Sequence, residues 1–150
     1  MLKNKEEVKE FIMGKSKEVL NKDLRGVYFS GLAQIVKGTP ADTGRARANW
    51  FLTTGSPSNS RSTSKSEARS NREILKTPVE VLGKKVYFTN NLPYIGVLEY
   101  GGYPNPVKKG TYNKRKNQFE IRSINGFSKQ APNGWVRRTL IKMANKIRNL

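Results

Sequence analysis

The chain has 150 residues, with 29 Lys and Arg against 11 Asp and Glu, a formal charge of +18, and neither Cys nor His. Those absences exclude disulfides, thiolate nucleophiles, cysteine or imidazole metal sites and a Ser-His-Asp triad, leaving carboxylate-held metals or Lys- and Tyr-based chemistry as the catalytic routes. A hydrophobic share of 35 % supports one modest core, so a single domain spanning 1–150 is expected, with part of the chain outside that core.

Val8, Phe11, Ile12, Val19, Leu20, Leu24, Val27, Tyr28, Leu32, Ile35 and Val36 recur at three- and four-residue steps and predict one long amphipathic helix. Asn4, with Glu7 three residues on, is its N-cap. Gly14, Gly26 and Gly31 weaken its interior, with a bend expected near one of them. Gly38-Thr39-Pro40 ends it, because Pro40 cannot donate the helical hydrogen bond and disfavours the helical region for Thr39. Ala41-Asp42-Thr43-Gly44 is a turn by composition. Ala46, Ala48, Trp50 and Leu52 then alternate with Arg45, Arg47, Asn49 and Phe51, which predicts a strand with one apolar and one largely cationic face.

Ten of residues 53–70 are Ser or Thr and Ala68 is the lone aliphatic, too little apolar surface to offset ordering entropy, so a flexible loop is expected over about 53–72. Ser64 with Glu67 predicts a short helix to about Lys76, anchored by Ile74 and Leu75. Thr77-Pro78-Val79-Glu80 reads either as a second helix start or as a strand through Val79 and Val81. Val86-Tyr87-Phe88-Thr89 is a strand stopped by Asn90-Asn91-Leu92-Pro93. Tyr94, Ile95, Leu98 and Tyr100 fit a short helix closed by Gly101-Gly102. A long flexible loop follows over 102–126, with a strand-like run from Gln118 to Ile124. From Pro132 or Asn133 a last helix presents Val136, Leu140, Met143, Ala144 and Ile147 on one side and Arg137, Arg138, Lys142, Lys146 and Arg148 on the other. This order is not a regular βαβ alternation. It predicts an α+β domain in which the N-terminal and C-terminal helices pack on a small, mostly antiparallel sheet.

The charge is uneven: residues 101–150 carry 12 basic side chains and one acid, Glu120, a net +11. Such a field attracts polyanions, whether nucleic acid or an acidic protein face. Lys114-Arg115-Lys116, with Lys108, Lys109, Tyr103 and Tyr112 nearby, mixes cations and aromatics as single-strand binders do, and as loops that dock on acidic proteins do. A metal-dependent nuclease would need converging carboxylates, but Asp42, Glu99 and Glu120 are scattered and carry no nuclease spacing. The Ser/Thr-rich segment lacks the Gly-Lys-Ser/Thr of a phosphate-binding loop. No apolar run approaches 18 residues and Met1 opens onto Lys3, Lys5, Glu6 and Glu7, so no membrane contact and synthesis in a cytoplasm are expected.

Three stretches are more specific: Thr39-Pro40-Ala41-Asp42-Thr43-Gly44-Arg45-Ala46 through Trp50, then YFTNNLPYIGVLEYG from Tyr87 to Gly101, then SKQAPNGWVR from Ser128 to Arg137. In this order they resemble the minor tail, or tail-completion, protein family of long-tailed bacteriophages. The sequence departs from the family pattern at Ala46-Arg47, at Trp135 where Met is usual, and in about 25 residues between Gly101 and Phe127 that short members lack. The resemblance implies a non-enzymatic virion protein of the neck, without cofactor or metal. It implies a homo-oligomeric, six-copy ring that completes the tail, meets a tail tube or tail terminator protein, and joins head-side connector, stopper or portal proteins. Candidate subunit or partner contacts on these blocks are Asp42, Arg45, Arg47, Tyr94, Glu99, Tyr100, Gln130 and Arg137. Glu99, a lone acid among apolar neighbours, has Arg45, Arg47 and Arg137 as candidate ion-pair partners. Tyr103, Lys108, Lys109, Lys114, Arg115 and Lys116 are further candidates, toward acidic protein or DNA in the lumen. The alternative is a non-enzymatic basic nucleic-acid-binding protein.

Overall fold

The computed structural model describes residues 4–150; the opening residues Met1 and Lys3 discussed above lie outside them. The fold is α+β, with four helices and three two-stranded antiparallel sheets among the described residues. Helix α1 runs Lys5–Gly38. Asn4 caps it as expected, its Oδ1 accepting the Glu7 N–H at 2.8 Å. Thr39 closes it, donating its hydroxyl to the Ile35 carbonyl at 2.7 Å before Pro40 turns the chain away.

The single apolar stripe expected along α1 is instead two. Val27, Leu32, Ile35 and Val36 are buried, while Val8, Phe11, Ile12 and Val19 stay exposed on the first half. Gly31 is a packing site in the helix: a Cβ there would run into the side chain of Met143 on helix α4, Val136–Arg148. The missing side chain lets the two helices approach closely.

Strand β1, Trp50–Thr54, pairs antiparallel with β2, Val86–Asn90, with Trp50 opposite Asn90 and Leu52 opposite Phe88. Trp50 stacks on Phe88 at 5.0 Å between ring centroids. The strand begins later than its alternation predicts. Ala46 and Ala48 are buried as expected, but from a helical turn in which the Ala48 N–H donates to the Gly44 carbonyl at 3.0 Å.

The expected loop over 53–72 contains helix α2, Glu67–Ile74, which starts at Ser66 and not at Ser64. Residues 77–85 form neither of the two elements expected there. They are strapped to α1: the Arg25 guanidinium donates to the Thr77 carbonyl at 3.2 Å, and Asn21 Oδ1 accepts the N–H groups of Val81 and Leu82. Helix α3, Ile95–Tyr100, ends at Gly101 with φ 84°, as expected.

The expected long loop over 102–126 is largely two hairpins. Strand β3, Thr111–Asn113, pairs with β4, Gln118–Glu120, and β5, Ser123–Ile124, pairs with β6, Phe127–Ser128, across Asn125-Gly126. The predicted run Gln118–Ile124 is thus split between two sheets. On α4 the buried residues are Thr139 and Met143, with Val136 and Ile147 packed against the core, whereas Leu140 is half exposed. That helix starts at Val136 because Ala131–Gly134 is held in a turn, the Gly134 N–H donating to the Ala131 carbonyl at 3.1 Å.

Candidate functional site

The three sequence blocks meet in one hydrogen-bonded joint. Gln130 binds the backbone of Ala41 at both ends, accepting its N–H at 2.9 Å and donating to its carbonyl at 2.8 Å. Asn90 Nδ2 donates to the Ala46 carbonyl at 2.9 Å, tying the second block to the first. Glu99 ties the second block to the third. Its Oε2 accepts the N–H groups of Trp135 at 2.8 Å and Val136 at 2.9 Å, and its Oε1 accepts the Arg137 N–H at 3.0 Å. The Arg137 Nε completes the set at 2.9 Å, and its Nη2 reaches the Glu99 carbonyl at 3.1 Å. Burial pushes the Glu99 carboxyl up, but the backbone N–H groups of Arg137, Trp135 and Val136, followed by the Arg137 side chain, hold it below the usual carboxylate range.

Of the three candidate partners of Glu99, the structure therefore selects Arg137. Glu99 is buried and serves the fold, which removes it as a surface contact. Arg47 is likewise occupied, donating twice to the Thr39 carbonyl and pairing with Glu67 at 3.4 Å. Arg137 keeps an exposed outer edge, its guanidinium 4.6 Å from the centre of the exposed Tyr100 ring.

Beside the joint lies a cleft of about 600 Å³, walled by the Pro40–Ala46 turn on one side and by residues 103–111 on the other. It brings together Asp42, Arg45, Tyr94, Tyr103, Lys108, Lys109 and Gln130 from the sequence candidates. Gly44, at φ 90°, shapes the turn; a side chain there would strike the Lys65 carbonyl. Burial, and then the neighbouring Tyr94, push the Tyr103 phenol up, so it stays a neutral hydroxyl. Arg122, which no spacing singled out, also lines the cleft and pairs with Asp42 and, at 3.8 Å, with Glu120. With Asp42 paired to Arg122, the cations Arg45, Lys108 and Lys109 dominate the rim. The apolar wall of Leu98, Pro104 and Val107 completes a slot that suits an extended acidic segment.

Lys114, Arg115 and Lys116 do not reach this cleft. They form the tip of the β3–β4 hairpin, exposed, with Lys116 paired to Glu120 at 2.9 Å. Tyr112 and Phe119 meet edge to face behind them at 5.2 Å, and Lys109 lies 5.5 Å from the Phe119 ring. The candidates thus separate into a joint, a cleft and a hairpin tip.

Sequence reasoning also missed the polar residues that fix the Ser-rich segment. Asn49 is fully buried; it accepts the Ser62 N–H at 2.7 Å and donates to the Ser62 and Arg45 carbonyls. Asn91 donates to the carbonyls of Ser58 and Ser60. Glu73, buried, accepts the Leu52 N–H at 3.1 Å and pairs with Lys76 and Arg69. Among the described residues every buried side-chain N or O has a partner, and no cluster of three carboxylates could hold a metal. No helix among them is long and apolar enough to cross a membrane. No protein-family model, curated protein or solved structure matches the chain.

Proposed function

We propose that this chain is a structural joining subunit of the neck of a long-tailed bacteriophage. It forms a ring, six copies by the family resemblance, that completes the tail and meets head-side connector, stopper or portal proteins. The observation that carries this reading is the joint: the three blocks behind the resemblance bind one another through Gln130–Ala41, Asn90–Ala46 and Glu99–Arg137. Their polar groups are spent on fixing geometry, which is what a load-transmitting wedge requires and what an active site would not spare. The cationic cleft is the docking slot for an acidic segment of a tail tube, tail terminator or head-side protein. In this reading the protein has no enzymatic activity.

The test is a cryo-EM reconstruction of the neck of the virus that encodes the chain. Density for a ring of these subunits between connector and tail tube is expected. An intact neck without them removes the reading. A second reading, a basic nucleic-acid-binding protein, is favoured by the Lys114–Lys116 tip with Tyr112 and Phe119 behind it. It requires DNA binding by the isolated chain that weakens by orders of magnitude from low to moderate salt.

A further inference from the structure

The cleft beside the joint is lined by four cations, Arg45, Lys108, Lys109 and Arg122, and by one acid, Asp42. Arg45 stands on the Pro40–Ala46 turn, and Lys108 with Lys109 on the wall across from it. An anion lying between the walls meets positive charge from both sides. Two of these cations are uncommitted: among the described residues neither the Arg45 guanidinium nor the Lys108 ammonium makes an ion pair or hydrogen bond, and both residues are exposed.

The fourth cation shows which anion suits the cleft. Arg122 is already held by a carboxylate, that of Asp42, with Glu120 at 3.8 Å. The Asp42 side chain is 66 % exposed and that of Arg122 37 %, so the pair is a weak one, and exchanging its acid strands no buried charge. The turn that carries Asp42 is itself fixed, by Gln130 on the Ala41 backbone and by Gly44 against the Lys65 carbonyl. Only the Asp42 side chain has to swing aside. Leu98, Pro104 and Val107 supply an aliphatic wall, which a strand of phosphates would leave uncovered. An extended peptide that alternates acidic and aliphatic residues sends the two kinds to opposite faces, matching cationic rim and aliphatic wall.

We propose that the cleft takes an extended acidic–aliphatic segment of a partner protein by carboxylate exchange. One acid of the segment takes Arg122 from Asp42, and further acids lie between Arg45 and Lys108. The inference rests on the docking slot named above and adds how that slot is regulated. Asp42 is a built-in competitor for Arg122, so a segment with several acids gains more than a segment with one.

The test is fluorescence anisotropy on the full chain, with a short labelled peptide of alternating Glu and Leu, blocked at both ends. The same peptide with Gln for Glu, and a labelled oligothymidylate, are the comparison probes. The Glu peptide is expected to bind, and the Gln peptide to bind at least about tenfold more weakly. Arg45→Glu with Lys108→Glu should weaken the Glu peptide by about tenfold or more. Asp42→Asn should tighten it by about threefold, the scale of one exposed ion pair. In an Arg122→Gln background the same Asp42→Asn change should have no effect, because exchange couples the two residues. Far-UV circular dichroism checks folding. Should Arg122→Gln disturb the neighbouring β5, Asp42→Asn alone decides: binding no tighter than wild type overturns the exchange. Equal tightening with and without Arg122 overturns it too, since a general field would then suffice, and leaves the slot standing. A wild type that does not bind the Glu peptide by about 1 mM, the weak end of specific association, overturns exchange and slot together. So does oligothymidylate that binds more tightly and displaces the peptide, which would assign the cleft to nucleic acid. The ring itself is decided separately, by the neck reconstruction.

Discussion

Glu99 caps the amino end of α4 from 36 residues away: three successive backbone N–H groups, those of Trp135, Val136 and Arg137, converge on its carboxylate. The arrangement does for α4 what an N-cap side chain usually does locally, and Trp135, the residue at the cap position, makes no side-chain cap bond itself. The negative charge also faces the positive end of the helix dipole. Trp135 passes the restraint on, donating its indole N–H to the Ile35 carbonyl at 2.9 Å. One carboxylate thereby fixes α3, α4 and the end of α1 relative to one another.

Replacing Glu99 should be among the most damaging single changes. Glu99→Ala leaves three helix N–H groups and the Arg137 Nε without their acceptor. A loss of about 3 kcal/mol is expected, the scale for stripping one side of a buried charged network. Urea unfolding checks it. A midpoint within experimental error of wild type would mean that α4 is not held by this contact.

The same carboxylate sets an acid limit. Its folded pKa lies below its ordinary value of 4.5, so its stabilisation is complete above that value and is lost as pH falls below it toward the folded pKa. The urea midpoint should show no Glu99-dependent slope from pH 7 to about 5, then fall in acid. Glu99→Gln should start lower and fall less steeply. The decline should not vanish in that variant, because Glu120 is also held low, first by its hydrogen bonds to Asn113 and Lys116. Parallel acid slopes in the two proteins would contradict the assignment.

Elements whose signals are local were legible in the sequence. The Asn4 cap, the stop at Thr39-Pro40, strand β2 and the Gly101 end of α3 all depend on neighbours within a few residues. The split of the α1 stripe was hidden because steps of three and four continue unbroken past Leu20 while the direction they point drifts round the helix. The order around residues 56–66 was hidden for another reason. It comes from amides at Asn49 and Asn91, and a hydrophobic pattern does not report polar bonds across tens of residues. The hairpin β5–β6 did carry a local signal, Asn125-Gly126, both residues at positive φ, which suits a two-residue turn. For the candidate site, the blocks named the joint residues, but their division into joint, cleft and tip is tertiary. Arg122 reaches Asp42 across 80 residues.

Asn49 predicts how the Ser-rich segment responds to a protease. The Asn49→Ala variant loses bonds to Ser62 and Arg45 and leaves the groups they served less well satisfied, a cost of about 2 kcal/mol. The segment should then open before the rest of the domain, since local opening follows the weakest set of restraints. Limited trypsin digestion should cut faster after Arg61 and Lys65 than in wild type, with α1 and α4 still intact. Unchanged cleavage at those two sites would show that Asn49 does not hold the segment.

The β3–β4 hairpin is the part that should separate folding from joining. No residue from Thr111 to Glu120 is buried, so replacing 111–120 with a short Gly-Ser turn should shift the unfolding midpoint little. A wider excision of 104–124 would be less informative, because it removes β5, which pairs with β6, along with Tyr103's neighbours in the cleft. On the joining reading, the trimmed protein folds but gives a reduced yield of joined, infectious particles when it replaces the wild type. On the nucleic-acid reading, the same trimming lowers DNA affinity at low salt by tenfold or more, as expected when several phosphate-binding cations are lost. Full infectivity together with unchanged DNA binding would strip the Lys114–Lys116 tip of both roles and leave the cleft as the partner-facing surface.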